Sequence, residues 1–414
     1  MHNRSSHNAY TAVFYIPSFY GAVTWGAWLF LYALNLIRVN DFNNSALAVF
    51  ILTEVLFILS VFVSFPRYGH LLNHSKNAVV LGSDTDGFIG KPFLLTLHLM
   101  GFLGLLKYLI DLAHYFGGIN SVLFALLYEA ATIRGDVDLP ASLGTPLSYF
   151  GWLAIAFTVF ALANKKISKW WILLIALQFL GNLMYVDRTR PIWILFTSLL
   201  MILPSSAHPT IQKIVKWMSV VLVISIVLFW LVAEWTGKTY YEDKFENPKI
   251  PGMTQVMYAY GVSGFAYFNH MLANNEPISY KPERTLYPLL RFLSRFGLTN
   301  EPPGMILEFY DVPFETNVGS FLEPFYRDGG FLFVLLGIII YSFGFDLLAF
   351  KFLEFKNPFA LYVWSNLCFT SFIAFFTPKI TQFPIWLFMG LGLMTLIIKS
   401  VQVTIIAYDA RKSG

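Results

Sequence analysis

Two arginines, Arg188 and Arg190, lie within three residues of a proline in "MYVDRTRPIWILF". A guanidinium offers planar, paired donors that match the oxygens of a phosphate. Pro191 suits the first turn of a helix, whose free N–H groups also attract anions. The pattern therefore predicts a phosphate or pyrophosphate site. In the alternative interpretation, Asp187 pairs with one arginine while the other reaches lipid phosphate.

A second arginine-rich stretch, "RTLYPLLRFLSRFGL", has leucines at helical spacing and Arg291 and Arg295 four residues apart on the opposite face. The spacing predicts an amphipathic helix that starts near Pro288 and stops at Gly297. Such a helix could lie on a bilayer with its arginines on headgroups. It could also turn its arginines, together with Arg284, toward a second anionic group.

Candidate proton acceptors lie near the start of a hydrophobic run in "ETNVGSFLEPFYRDGGFLFVLLGIII". Asp328 directly precedes the run and suits the N-cap of the helix that follows. Glu323 and Glu315 are nearby carboxylates that could take a proton from a hydroxyl, as could Asp311. His270, in "YFNHML", is a further candidate base, although a lone histidine is more often simply packed.

The elements that must position these residues are membrane helices. Of the 414 residues, 57% are hydrophobic and 13% are charged, and the mean hydropathy is +0.60. The apolar runs are long and do not alternate, which favours helices over a barrel. We predict an all-α integral membrane protein with about ten transmembrane helices, with an error of one or two, at residues 11–37, 45–65, 92–116, 147–163, 170–186, 191–203, 218–233, 330–350, 359–376 and 384–406.

The positions of the lysines predict the orientation. Lys165, Lys166 and Lys169 share one short loop, and with ten spans the other lysine-bearing short loops fall on the same side as both termini. That side should be the cytoplasm. Residues 234–328 then form a long, proline-rich outer loop carrying short amphipathic helices, within a single polytopic domain spanning residues 1–414. A loop of this length is typically functional.

The order of these features resembles the Wzy-type O-antigen and oligosaccharide repeat-unit polymerases. The resemblance in topology covers most of the chain, whereas the recognisable motif is confined to about residues 184–344. In that family a Thr-Asn leads through aromatic residues to an Asp-Gly and a glycine-rich span. The matching residues here are Thr316, Asn317, Phe325, Tyr326, Asp328 and Gly329.

The resemblance implies a metal-independent glycosyltransferase of the bacterial inner membrane, with an active periplasmic face and an architecture like that of glycosyltransferase-C enzymes and peptidoglycan polymerases. Its donor and acceptor would be glycans on undecaprenyl pyrophosphate. A polysaccharide co-polymerase that regulates chain length is an expected partner besides membrane lipids. The sequence has no HExxH motif, Cys/His metal spacing or Walker loop, so we expect no cofactor, metal or nucleic acid.

The residues are assigned roles on that basis. Five arginines would bind the two pyrophosphates: Arg188, Arg190, Arg284, Arg291 and Arg295. The acceptor proton would go to His270, Glu323 or Asp328, and Asn317 and Tyr326 would wall the sugar cleft.

Two other functions stay open. An O-antigen ligase would pass the same donor to the lipid A core. A transporter or flippase would use ionisable groups within the spans, of which the chain has few: Glu54, Lys107, Asp111 and Asp346.

Overall fold

A computed structural model describes most of the chain, namely residues 10–74, 89–128, 144–185, 187, 189–205, 210–235, 245, 249–250, 252–304, 307–355 and 357–412. The described residues are predominantly helical. The helices in chain order are α1 Pro17–Leu34, α2 Asn44–His74, α3 Lys91–Tyr115, α4 Ile119–Tyr128, α5 Gly144–Ala163, α6 Trp171–Leu183, α7 Thr189–Ile202, α8 Ile211–Trp235, α9 Met253–Ala273, α10 Tyr287–Ser294, α11 Leu322–Ile339, α12 Phe345–Glu354, α13 Pro358–Phe372 and α14 Phe383–Lys412.

Two short strands and three 3-10 turns, Ala12–Tyr15, Leu203–Ser205 and Lys379–Thr381, accompany the helices of the described residues. Strands β1 (Tyr310–Asp311) and β2 (Glu315–Thr316) pair antiparallel, with Tyr310 opposite Thr316. A π-helical turn, Ile340–Gly344, joins α11 to α12. The all-α class predicted from the apolar runs is therefore correct.

Five of the described helices are long and apolar enough to cross a membrane, judged by length and composition: Asn44–Leu72, Lys91–Tyr115, Pro146–Ala163, Ile211–Trp235 and Leu322–Glu354. Three shorter apolar helices accompany them, at Trp171–Leu183, Thr189–Ile202 and Phe383–Ile398. These helices support a membrane-embedded protein. The expected total of about ten spans stays a prediction.

Local sequence explains where several helices begin. Proline occupies the first turn of α1, α3 and α13, where its missing N–H leaves no internal bond unmade. Before α13, the side chain of Asn357 accepts a hydrogen bond from the Phe359 N–H at 2.9 Å. This is an N-cap that satisfies one of the free donors of the helix.

The chain divides into two compact units, each built from separate stretches of sequence. The first unit comprises Met1–Thr11 and Asn73–Tyr240, and the second comprises Ala12–Leu72 and Tyr241–Gly414. The polytopic domain predicted for residues 1–414 therefore has two centres of packing.

In the first unit, α3 and α5 pack closely through glycines. A Cβ added to Gly101 would lie 2.6 Å from the Cα of Gly151, so no larger residue fits without moving the backbone. The interface also buries polar groups in pairs. His98 Nε2 lies 3.0 Å from Thr158 Oγ1, and Trp152 Nε1 donates to Asn182 Oδ1 at 2.8 Å. The first of these contacts links α3 to α5, and the second links α5 to α6.

In the second unit, an aromatic core surrounds Trp25 of α1. Its ring packs against Phe265 of α9, at a centroid distance of 4.7 Å, and against Phe321, at 5.4 Å. Its indole N–H donates to the Phe50 carbonyl of α2 at 3.1 Å. The core thus ties α1, α2 and α9 to the chain entering α11.

The segment predicted as a long outer loop, residues 234–328, contains a long helix. Helix α9 (Met253–Ala273) packs most of its side chains inside the second unit, including Phe265, Tyr267 and Phe268. Its glycines, serine and asparagine interrupt the apolar pattern, which explains why hydropathy alone did not reveal it. Helix α10 confirms the predicted amphipathic helix in this segment.

Candidate functional site

A cluster of charges forms in the second unit at the start of α11. Glu323 and Arg327 are four residues apart, so they share one face of the helix. Their Oε1 and Nε atoms approach to 2.9 Å. Arg284, from the loop before α10, brings its Nη1 to 3.6 Å from the same oxygen. The Glu323 side chain is only 2% exposed, so two guanidinium groups neutralise one buried carboxylate.

The Asp328 carboxylate holds the loop that carries Arg284. It accepts hydrogen bonds from the backbone N–H of Arg284, at 3.1 Å, and from the N–H and hydroxyl of Thr285, both at 2.7 Å. The N-cap role predicted for Asp328 is therefore wrong, because its oxygens bind a distant loop. The helix itself begins earlier, at Leu322, and kinks at Gly329 and Gly330.

Aromatic side chains stack beside the charged cluster. The rings of Tyr267 and Tyr310 stack with centroids 4.7 Å apart, and the His270 ring lies 4.6 Å from that of Tyr310. Arg327 Nη2 donates to the Tyr310 hydroxyl at 2.8 Å. Burial raises the pKa of Tyr310, against the opposing effect of the hydrogen bond from Arg327. Tyr310 therefore keeps its proton at neutral pH and remains a donor.

Glu276 completes the cluster from the chain after α9. Its Oε2 lies 3.8 Å from Arg327 Nη1, and its side chain is 20% exposed. Glu323 is buried between two arginines, and Asp328 is engaged by the loop before α10. Of these three carboxylates, Glu276 is the one whose side chain is partly exposed.

In the first unit, Arg190 is buried in an aromatic cage. Its guanidinium carbon lies 3.6 Å from the Tyr185 ring centroid, 5.3 Å from that of Trp152 and 5.7 Å from that of Tyr149. The residue is only 7% exposed. Its Nε and Nη1 are buried and have no hydrogen-bond acceptor among the residues that the structure describes. The cage stabilises the cation but leaves these donors unsatisfied.

Arg190 lies in the first turn of α7, next to the free N–H groups of that helix. The Asp187 carboxylate accepts hydrogen bonds from the Thr189 N–H, at 2.8 Å, and from the Thr189 hydroxyl, at 2.9 Å. Asp187 thus caps the helix, and Arg190 forms no ion pair with any described residue. A buried cation beside a helix N-terminus favours an anion.

The other predicted residues lie in different surroundings. Arg188 falls outside the described residues. Arg291 bonds the Tyr287 hydroxyl at 2.7 Å and lies 3.3 Å from Glu301 Oε1. Arg291 and Arg295 line a shallow depression of about 210 Å³.

The two residues predicted to wall a sugar cleft also differ in exposure. Asn317 follows β2 and is partly exposed. Tyr326 is buried, with its ring 5.8 Å from Phe268 and 5.6 Å from Phe331. The structure thus brings Arg284, Glu323, Asp328 and His270 into one neighbourhood and leaves the Tyr326 ring in the core.

Sequence reasoning missed four members of the cluster: Tyr267, Glu276, Tyr310 and Arg327. Arg327 had a usable signal, because it follows Glu323 by one helical turn in "LEPFYRDGG". Glu276 and Tyr310 had none, since their positions depend on how the chain between α9 and α11 folds back.

No model of a known protein family matches the chain, and no curated protein or solved structure is significantly similar to it.

Proposed function

We propose that this chain is a glycosyltransferase that polymerises oligosaccharide repeat units carried on undecaprenyl pyrophosphate, at the periplasmic face of a bacterial inner membrane. The observation that carries the proposal is Arg190. A buried guanidinium without an acceptor leaves a large desolvation penalty uncompensated. A diphosphate would supply both a countercharge and acceptor oxygens in paired geometry.

The leaving group of such a reaction is a lipid pyrophosphate. Negative charge grows on its bridging oxygen as the bond to the sugar breaks, so a preorganised cation there lowers the barrier. The aromatic cage suits this role, since it holds the Arg190 guanidinium in place before any ligand arrives. Of the other predicted pyrophosphate ligands, Arg188, Arg284 and Arg291 remain part of the proposal as contacts to the donor or acceptor carrier.

The charged cluster of the second unit would serve the acceptor sugar. A hydroxyl that attacks the donor sugar must lose its proton to a base within hydrogen-bond reach. We assign this role to Glu276, since Glu323 is neutralised by Arg284 and Arg327. The His270 and Tyr310 rings, together with Asn317, would contact the sugar. Asp328 would hold the Arg284 loop in place and would not take the proton.

The experiment uses the purified full-length chain in nanodiscs, mixed with undecaprenyl-pyrophosphate-linked repeat units and analysed by gel electrophoresis. A ladder of longer lipid-linked glycans supports a polymerase. If the repeat units stay intact until lipid A core is added and are then transferred to it, the chain is a ligase. If they stay intact under both conditions in a folded protein, a transferase is ruled out and a transporter becomes the better explanation.

Substitution of Arg190 tests the observation on which the proposal rests. Arg190→Leu should abolish the ladder, whereas Lys216→Leu, which removes an exposed cation of α8, should leave it unchanged. Removing an unpaired buried charge also removes the desolvation penalty that the fold carries for it. We therefore expect the thermal unfolding temperature of Arg190→Leu to be unchanged or higher. An active Arg190→Leu protein would remove the basis of the proposal.

A further inference from the structure

Residues 287–298, α10 and the turn that follows it, present a row of apolar side chains to the outside. We call this stretch the amphipathic segment. Leu289, Phe292, Phe296 and Leu298 are 39%, 52%, 65% and 69% exposed. For large hydrophobic side chains close together these values are high, and such a patch indicates a binding surface.

The opposite face of the amphipathic segment is polar. Arg291, Ser294 and Arg295 line the shallow depression of about 210 Å³ together with Thr299 and Glu301. Arg291 is paired with Glu301, whereas Arg295 forms no ion pair with a described residue. The segment therefore has an apolar face, a polar face and one cation left to bind an external anion.

The fold holds the apolar side chains outward. Gly297 has a φ of +70°, which an L side chain rarely adopts, and it ends the helix. The Leu298 N–H then donates to the Leu293 carbonyl at 3.2 Å. Thr299 Oγ1 donates to the Leu290 carbonyl at 3.1 Å and draws the outgoing chain back onto the helix. The exposed row is thus a fixed feature of the backbone.

The chain at the start of the amphipathic segment is hydrogen-bonded to the chain at the start of α11's apolar run. Thr285, two residues before α10, is bonded to Asp328. Gly330, with a φ of +62°, then turns the chain into an apolar run whose first side chains, Phe331 and Leu332, are 50% and 73% exposed. This run belongs to a helix long and apolar enough to span a membrane. The amphipathic segment therefore starts where that helix enters its apolar stretch.

We propose that the amphipathic segment docks into the lipid surface of the membrane that contains this chain. Its apolar row enters the boundary between headgroups and acyl chains, and Arg295 binds lipid phosphate. An amphipathic helix with basic residues on its polar face has this geometry at an interface. The lipid surface is the occupant that accounts for both the apolar row and the free cation at the level of membrane entry.

Nitroxide scanning of the full chain in nanodiscs tests this proposal. Single cysteines at Phe292 and Phe296 sample the apolar row, and one at Ser294 samples the polar face as the matched control. The native Cys368 is buried and can stay in place. We expect the ratio of oxygen to nickel-complex accessibility at 292 and 296 to exceed that at 294 about threefold or more, with the labels about 5–10 Å below the phosphates.

Two results would overturn the proposal. Equal, high nickel accessibility at all three positions would place the segment in water. Labels at 292 and 296 that are shielded from both reagents would show that protein covers the row, either a second copy or another partner.

A second measurement tests the role of Arg295. On changing from neutral to anionic lipid, the label at 296 should move deeper, and Arg295→Gln should abolish that shift. A shift that persists in Arg295→Gln would contradict the assignment of Arg295 to lipid phosphate.

Discussion

Asp346 of α12 is a buried carboxylate whose removal should weaken the fold. Its oxygens accept four hydrogen bonds inside the second unit: from the Ser18 N–H at 2.8 Å, and from the hydroxyls of Ser18 at 2.6 Å, Ser60 at 2.7 Å and Ser64 at 3.0 Å. Because Pro17 has no N–H, Ser18 supplies the first free donor of α1. Asp346 therefore caps α1 from another helix while tying it to α2.

The loss of unfolding free energy in Asp346→Ala depends on which of the four donors can find another acceptor. The Ser60 and Ser64 hydroxyls can rotate to backbone carbonyls one turn earlier in α2. Ser18 stands in the first turn of α1, and the preceding carbonyls of Phe14 and Tyr15 already accept from the Tyr20 hydroxyl and the Trp364 indole N–H, so the Ser18 N–H and hydroxyl stay unsatisfied. Each buried orphan costs about 1–3 kcal/mol, so we expect a loss of about 2–6 kcal/mol in unfolding free energy. Asp346→Asn should lose less, since one amide oxygen can still accept from Ser18.

Thermal unfolding of the detergent-solubilised protein measures this loss. About 2–4 °C per kcal/mol applies to domains of 150–250 residues, so Asp346→Ala should lower the midpoint by at least about 4 °C. Glu354→Ala is the matched control, because Glu354 is on the same helix and its 2.9 Å pair with Lys351 is exposed. Such surface pairs contribute about 0–1 kcal/mol. Equal midpoints for Asp346→Ala and Glu354→Ala would refute the reasoning.

Two further substitutions test the site and the packing. If the proposed reaction is correct, Glu276→Gln should slow glycan extension about 100-fold or more through loss of the base, without weakening binding of the lipid-pyrophosphate donor. Asp311→Asn, at an exposed carboxylate of β1, should extend glycans at the normal rate, and equal rates for the two variants would remove Glu276 from the mechanism. Gly101→Ala should destabilise the protein by about 1–3 kcal/mol, because its Cβ meets the backbone of Gly151. Gly69→Ala, with open space around it in α2, should be neutral or stabilising in the same unfolding assay.

Predictions from local sequence were the successful ones. Helix α10 was predicted from leucine spacing, with Pro288 at its start and Gly297 at its stop, and both features are present. These signals lie within a few residues of the feature they specify. The all-α class could also be predicted from the sequence, because a long apolar run in lipid must form its backbone hydrogen bonds internally, as a helix does.

Long-range features could not be predicted in this way. The Asp328 carboxylate binds Thr285, 43 residues earlier in the chain, whereas the sequence pointed to the helix directly after it. A carboxylate can accept hydrogen bonds equally well from the N–H groups of the helix that follows it or from those of a distant loop. Only the fold determines which of the two it binds. Helix α9 was missed for a different reason, since its apolar residues pack against protein and are interrupted by glycine, serine and asparagine.

Two kinds of buried charge occur among the described residues, and the difference supports the assignment of roles. Asp346 receives four donors and Asp328 binds a loop, so the protein itself satisfies these two carboxylates, and the charge of Glu323 is balanced by two guanidinium groups. Such groups organise structure, and an intramembrane carboxylate saturated in this way is a poor carrier for a transported ion. Arg190 is the contrasting case, because two of its buried nitrogens have no acceptor among the described residues. This contrast supports the proposal that Arg190 binds a ligand, because the planar paired donors of a guanidinium match a phosphate.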